Sequence, residues 1–129
     1  FSLPAGSAEK TYGSVVVDSV TSIYDGDTFR VSINGYPAII GSRIGIRING
    51  IDTPEMTDEE ARVKKLARKA KKYTVKRLRE GKTILLRNMK RGKYFRIVAD
   101  VYVDGESLAE ELLAEGLARE YDGGKKAEW

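Results

Sequence analysis

Arg47-Ile48-Asn49-Gly50-Ile51-Asp52-Thr53-Pro54-Glu55 reads as the end of a strand running into a turn and then a helix. Ile44, Ile46 and Ile48 alternate with Arg43, Gly45, Arg47 and Asn49, the period-2 pattern of a half-buried strand. The alternation predicts Arg47 on the face opposite the isoleucines. Asp52 closes the strand, Pro54 stops it, and Glu55 stands just before a helical run. An arginine and two carboxylates thus converge at a strand end, where a rigid element can hold them. Upstream lies a second acidic turn, Asp25-Gly26-Asp27-Thr28, a strong hairpin signal. Downstream lies a basic and aromatic turn, Lys93-Tyr94-Phe95-Arg96. The three turns are expected to meet in one site.

Residues 13–24 carry a β-branched run, Val15-Val16-Val17 through Ile23, expected as one strand with room for a bulge. Phe29, Val31 and Ile33 alternate with polar residues, and Asn34-Gly35 makes a second turn. Ile39-Ile40 is expected to open the third strand, bent by Gly41-Ser42 into residues 43–51. Thr57 and Glu60 read as a capping box, with Thr57 the N-cap of a long helix that Gly81 ends. On that helix Val63, Leu66, Ala67, Ala70, Tyr73, Thr74 and Leu78 form one stripe. Its other faces are rich in lysine and arginine, which reads as a solvated surface unless the helix flanks the site. Residues 83–89 and 96–103 read as strands four and five, with Asp104-Gly105 as a turn. Ser107 and Glu110 form a second capping box, opening a short helix that buries Leu108, Leu112 and Leu113 and stops at Gly116. The predicted fold is α+β: a five-stranded OB-type β-barrel, a long helix after strand 3 and a short C-terminal helix. The predicted organisation is a loose arm over residues 1–12, one domain over 13–122 and a polar tail over 123–129.

With 129 residues the chain is long enough for one domain with a real core. No apolar run approaches the roughly 18 residues that span a membrane. A net charge of +4 fits an anionic partner. The absence of histidine and cysteine removes the thiol nucleophile, the imidazole base and the ordinary zinc site. Any metal must take oxygen ligands, which means calcium, magnesium or manganese. The chain begins at Phe1 rather than methionine. That fits a processed secreted or periplasmic chain, or a trimmed one, and leaves the compartment open. A monomer is expected, and no protein partner is evident.

Taken singly, each acidic turn is an ordinary turn, each arginine a solvated strand residue, and Tyr94 ordinary amphipathic surface. Taken together they form the ordered pattern Asp-Gly-Asp-Thr … Arg-x4-Asp-Thr-Pro-Glu … Lys-Tyr-x-Arg, followed by the capped Leu-rich helix and Gly116-Leu117-Ala118. This pattern resembles the staphylococcal-type thermonuclease family over about residues 15–121. The resemblance implies an OB-fold enzyme that hydrolyses DNA and RNA with calcium. It implies that Asp27 and Asp52 are the side-chain metal ligands and that Thr53 offers its backbone carbonyl. Glu55 corresponds to the general base, and Arg47 and Arg96 to the phosphate-binding arginines. Lys93 and Tyr94, and more loosely Tyr121, correspond to nucleotide contacts. Phe95 stands where the family usually has glycine, and Gly92 where it usually has aspartate.

The residue chemistry is consistent with this. A phosphodiester repels hydroxide, and two guanidiniums can donate paired hydrogen bonds to its oxygens. Without histidine, a carboxylate must take the proton from water. The expected function is a calcium-dependent nuclease with little sequence preference, its partner DNA or RNA. The alternative is a non-catalytic OB-fold module that grips single strands, although such a module has no need for both metal carboxylates, the base and both arginines.

Overall fold

β-Branched and isoleucine-rich segments dominate the first half of the chain, and they pair into one strongly curled sheet. The computed structural model describes residues 10–126 and 128–129, so most of the predicted N-terminal arm lies outside the described residues. The chain runs β1 (Val15–Val16), β2 (Ser19–Asp25), β3 (Thr28–Ser32), α1 (Ala38–Gly41), β4 (Ile44–Ile48) and β5 (Ile51–Asp52). It continues with α2 (Ala61–Glu80), β6 (Ile84–Gly92), β7 (Arg96–Val103), β8 (Glu106–Ser107), α3 (Leu108–Ala114) and β9 (Arg119–Glu120).

The main sheet follows the order β1-β6-β7-β4-β3-β2, with β8 added to β7. β1 and β2 stand at opposite ends of this path yet are consecutive in the chain. Val17 still donates to the Ile84 carbonyl, while Asp18 already donates to Ser32. The single strand expected over 13–24 therefore changes partners at this corner, and the sheet curls into a half-barrel. All pairs in the path are antiparallel except β4 with β7, which are parallel. Phe29, Ile46, Ile48, Leu86, Val101, Leu108 and Leu112 fill the core, each at most 1% exposed.

The α+β class and the curled sheet agree with the sequence reading, whereas the strand count and helix placement differ. The strand β4 is buried along its whole length, not half-buried, because curling covers its second face as well. Asn49 and Gly50 form a turn that separates β5 from β4, and β5 pairs with β9 in a small second sheet. Ile39 and Ile40 do not open a strand. They sit in the single turn α1, where Gly41 and Ile40 donate back to the Pro37 carbonyl, and both side chains are exposed. The long helix begins at Ala61 with Glu60 as N-cap, so Thr57 is not the cap. Asp58 explains the delay: its carboxylate accepts the Glu60 N–H at 2.9 Å, competing with helix initiation. At α3 the expected cap is present, with Ser107 Oγ accepting from the Glu110 N–H at 3.2 Å.

Candidate active site

The hairpin turn between β2 and β3 carries Asp27, and contacts with α2, with Thr53 and with Thr28 fix it in place. Thr74 of α2 donates its hydroxyl to the Gly26 carbonyl at 2.7 Å. A Cβ at Gly26 would come within 2.9 Å of the Ala70 Cβ and 3.0 Å of the Thr53 methyl, so only glycine lets the turn lie flat under the helix. The Thr53 N–H then donates to Asp27 Oδ2 at 3.0 Å, joining the first acidic turn to the second. Thr28 completes the set, its hydroxyl donating to Asp27 Oδ1 at 2.9 Å.

Arg47 lies opposite Thr28 across the β3–β4 pair. Its guanidinium sits 2.9 Å from Asp27 Oδ2 and 3.5 Å from Asp52 Oδ1, and it also donates to the Ile48 carbonyl at 3.3 Å. Asp27, Arg47, Asp52 and Thr53 are all buried. Buried charges are tolerated only when paired, and here one arginine serves two carboxylates. The proton balance follows from the same contacts. Burial and the adjacent Asp27 push Asp25 up to about 7. Asp27 is held below its usual range: burial opposes this, but the Asp25 hydrogen bond, the Arg47 charge and the Thr53 N–H outweigh it.

Arg96 opens β7 and pairs in register with Gly45. A Cβ at position 45 would approach the Arg96 Cβ to 3.2 Å, so glycine leaves room for the arginine side chain. Arg47, two residues on from Gly45, shares that sheet face with Arg96. Both line a basic cleft of about 720 Å³ together with Lys93, Tyr94, Tyr121 and Lys126. Arg96 lies 5.6 Å from the Tyr94 ring centre and Arg47 lies 5.8 Å from that of Tyr121. The Nε of Arg96 is buried without a hydrogen-bond partner among the described residues.

A second, acidic cleft of about 330 Å³ is lined by Asp52, Glu55, Asp58 and Glu60. Lys126 lines both clefts and is the residue that the sequence reading missed. Its ammonium is 3.2 Å from Asp52 Oδ1 and 3.2 Å from Glu55 Oε1. Burial acts against the charge, but the two carboxylates hold Lys126 above its usual range. Nothing in the polar stretch Asp122-Gly123-Gly124-Lys125-Lys126 marks this lysine, because its role depends on β9 bringing the tail back beside β5.

The donor set suits a hard cation. Among the described residues the buried Asp52 Oδ1 accepts no geometric hydrogen bond, and the cationic groups of Lys126 and Arg47 lie 3.2 and 3.5 Å from it. Among the described residues no three carboxylates converge to hold an ion by themselves. Carbonyl and water oxygens would have to complete a shell around Asp27 and Asp52, which calcium accepts more readily than magnesium. The expected site residues thus fall into two groups: Asp27, Arg47, Asp52 and Thr53 form a bonded cluster with Glu55 at its edge, and Arg96, Lys93, Tyr94 and Tyr121 line the adjoining cleft. None of the basic residues of α2 lines either cleft, and Arg77 of that helix instead pairs with Glu111 of α3 at 2.9 Å.

A family model described as staphylococcal nuclease homologue matches residues 45–128. Endonuclease YncB of Bacillus subtilis strain 168 is 35% identical over 118 residues, which cover 90% of this chain and 52% of YncB. The SPbeta prophage-derived endonuclease YokF of the same strain is 39% identical over 97 residues, covering 74% of this chain and 31% of YokF. The chain therefore spans about half or less of the length of these relatives.

Proposed function

We infer the function of this chain from one premise: it belongs to the staphylococcal nuclease homologue family. It is a nuclease that hydrolyses phosphodiester bonds of DNA or RNA with little sequence preference, and calcium supports the reaction. The observation that carries this reading is the buried Asp27–Arg47–Asp52 cluster, whose arginine lines a basic, aromatic cleft and whose Asp52 Oδ1 is ion-paired with Arg47 and Lys126.

Asp27, Asp52 and the Thr53 carbonyl would hold the ion. When bound, calcium supplies Lewis-acid neutralisation of the phosphate oxygens. Glu55 stands at the edge of the cluster and is 59% exposed at its side chain, so water reaches it freely. Its carboxylate takes the proton of the attacking water. Arg47 uses part of its donor fork on the carboxylates and keeps the rest for a phosphate oxygen. Arg96, which lines the same cleft, donates to the same group. Two planar forks suit an oxyanion whose charge grows toward the transition state. Lys93 fixes a neighbouring phosphate, while Tyr94 and Tyr121 pack against the nucleotide.

The test is digestion of plasmid and RNA with calcium, with excess chelator, and with calcium restored. Activity should vanish in chelator and return with calcium. Glu55→Gln should lower turnover by about 10²–10⁴ while calcium affinity changes little. A parent protein that binds single strands but cleaves none under any divalent ion would be a binding module instead.

A further inference from the structure

A third cleft of about 530 Å³ adjoins the basic one and differs from it in chemistry. Its lining includes Tyr12, Tyr36, Ile40, Met89 and Phe95. Phe95 is 67% exposed and Tyr12 51%, a large aromatic surface left open to solvent. The two clefts are continuous, because Tyr12, Lys90, Arg91, Gly92 and Arg96 line both.

The turn between β6 and β7 divides its two rings between them. Tyr94 and Phe95 both have positive φ, 60° and 55°, in the left-handed region that bulky residues avoid. Tyr94 lines only the basic cleft, Phe95 only the apolar one, and Arg96 lies between. Gly92 lies at the divide and lines both clefts, and a Cβ there would meet the Val98 methyl at 2.8 Å and the Arg96 carbonyl at 3.1 Å. On the far side Arg91 lies 5.5 Å from the Tyr12 ring centre and Lys10 lies 5.9 Å from it. Exposed rings interleaved with cations along a continuous groove are the recognition chemistry of single-stranded nucleic acid. A protein partner would use the apolar floor but would not call for the cationic rim shared with the other cleft.

We propose that the apolar cleft is a base-binding subsite, in which Phe95 stacks against an unpaired nucleobase of the substrate strand next to the nucleotide held over Arg96. The backbone crosses the Gly92 divide, and Arg91 faces its phosphate. This rests on the nuclease reading above.

The test uses a fluorescein-labelled eight-nucleotide thymidylate strand and a dinucleotide, with anisotropy measured in chelator so that nothing is cut. Phe95→Ala should weaken binding of the eight-nucleotide strand by about tenfold, within the range for loss of one base–aromatic stack. Dinucleotide binding should change less than about twofold on the same grounds. One abasic position scanned through the longer strand should weaken the parent by a similar factor and leave Phe95→Ala unaffected at that position. Phe95→Tyr should restore the stack and Phe95→Leu should not. Equal affinity of parent and Phe95→Ala for the longer strand would overturn the proposal. So would an abasic penalty that persists in the variant. Either result with calcium-dependent cleavage intact would sink the subsite alone. A parent that neither binds nor cleaves any strand would sink the nuclease reading, and the subsite with it.

Discussion

The buried cluster and the exposed turn that meet at Arg47 and Arg96 form two walls of the candidate site, and they are built in opposite ways. One wall consists of Asp27, Arg47, Asp52 and Thr53, from 2% to 9% exposed and bonded to one another and to backbone. The other is the Lys93–Arg96 turn, where Tyr94 and Phe95 are 87% and 67% exposed on a left-handed backbone. The first wall is part of the folding core: its charges exist only because each has a partner. The second is attached to the fold at Arg96 and Gly92 and is otherwise free of it. Function and stability should therefore be coupled on one side of the site and separable on the other.

The sharpest way to break this contrast is Arg47→Met. Removing the arginine leaves Asp27 and Asp52 buried without their shared counter-charge. Loss of one partner from a buried ion pair costs about 3–5 kcal/mol, so urea unfolding in chelator should show a loss of that size. Adding calcium should recover part of it, because an ion that binds only the folded state stabilises it by mass action. A variant as stable as the parent in chelator would mean that the buried wall is not held by its charges.

Arg96→Lys tests the other wall and should do the reverse. A lysine keeps the charge but not the planar fork. Turnover should fall by about tenfold or more, the scale of one bidentate contact to a developing oxyanion, while the urea midpoint stays within experimental scatter of the parent. Near-normal turnover would mean that the turn does not present Arg96 to the phosphate. A large loss of stability would mean that the exposed wall is as structural as the buried one.

The same contrast governs what could be read from the sequence. Each turn that carries a candidate residue was visible, because Gly26-Asp27, Asp52-Thr53-Pro54 and the Lys93–Arg96 segment punctuate strong periodic runs. The Ser107 cap was visible for the same local reason. What escaped depends on partners distant in sequence. Period-2 alternation cannot distinguish a strand with one covered face from β4, which the curled sheet covers on both. Ile39-Ile40 looks like strand by β-propensity, yet the Pro37 carbonyl captures Ile40 and Gly41 in a helical turn. Thr57 and Glu60 satisfy the capping pattern, but Asp58 offers the backbone a competing bond. Lys126 escaped because no local signal distinguishes a tail lysine that folds back to two carboxylates from one in solvent.

That lysine gives the smallest effect, and it probes the seam between the walls. The Lys126 ammonium lies 3.2 Å from both Asp52 and Glu55, with its side chain 45% exposed. On the proposed function, an ammonium at Asp52 and a calcium ion bound by the same carboxylate would be mutually unfavourable, so the lysine would have to withdraw as the ion binds. Half-exposed ion pairs are worth about 0–1 kcal/mol each, which limits the energy that withdrawal costs. Lys126→Met should then raise calcium affinity by about two- to fivefold, the fold-change equivalent of that energy. Calorimetric titration with calcium measures it directly, without reference to turnover. Lys126→Arg should bind calcium no more tightly than the parent, because it keeps the charge. If Lys126→Met instead weakened calcium binding, the lysine would be a support that holds Asp52 and Glu55 in place, and the tail would belong to the buried wall. If it left affinity unchanged, the tail would lie outside the energetics of the site, and the two walls alone would set how tightly calcium binds.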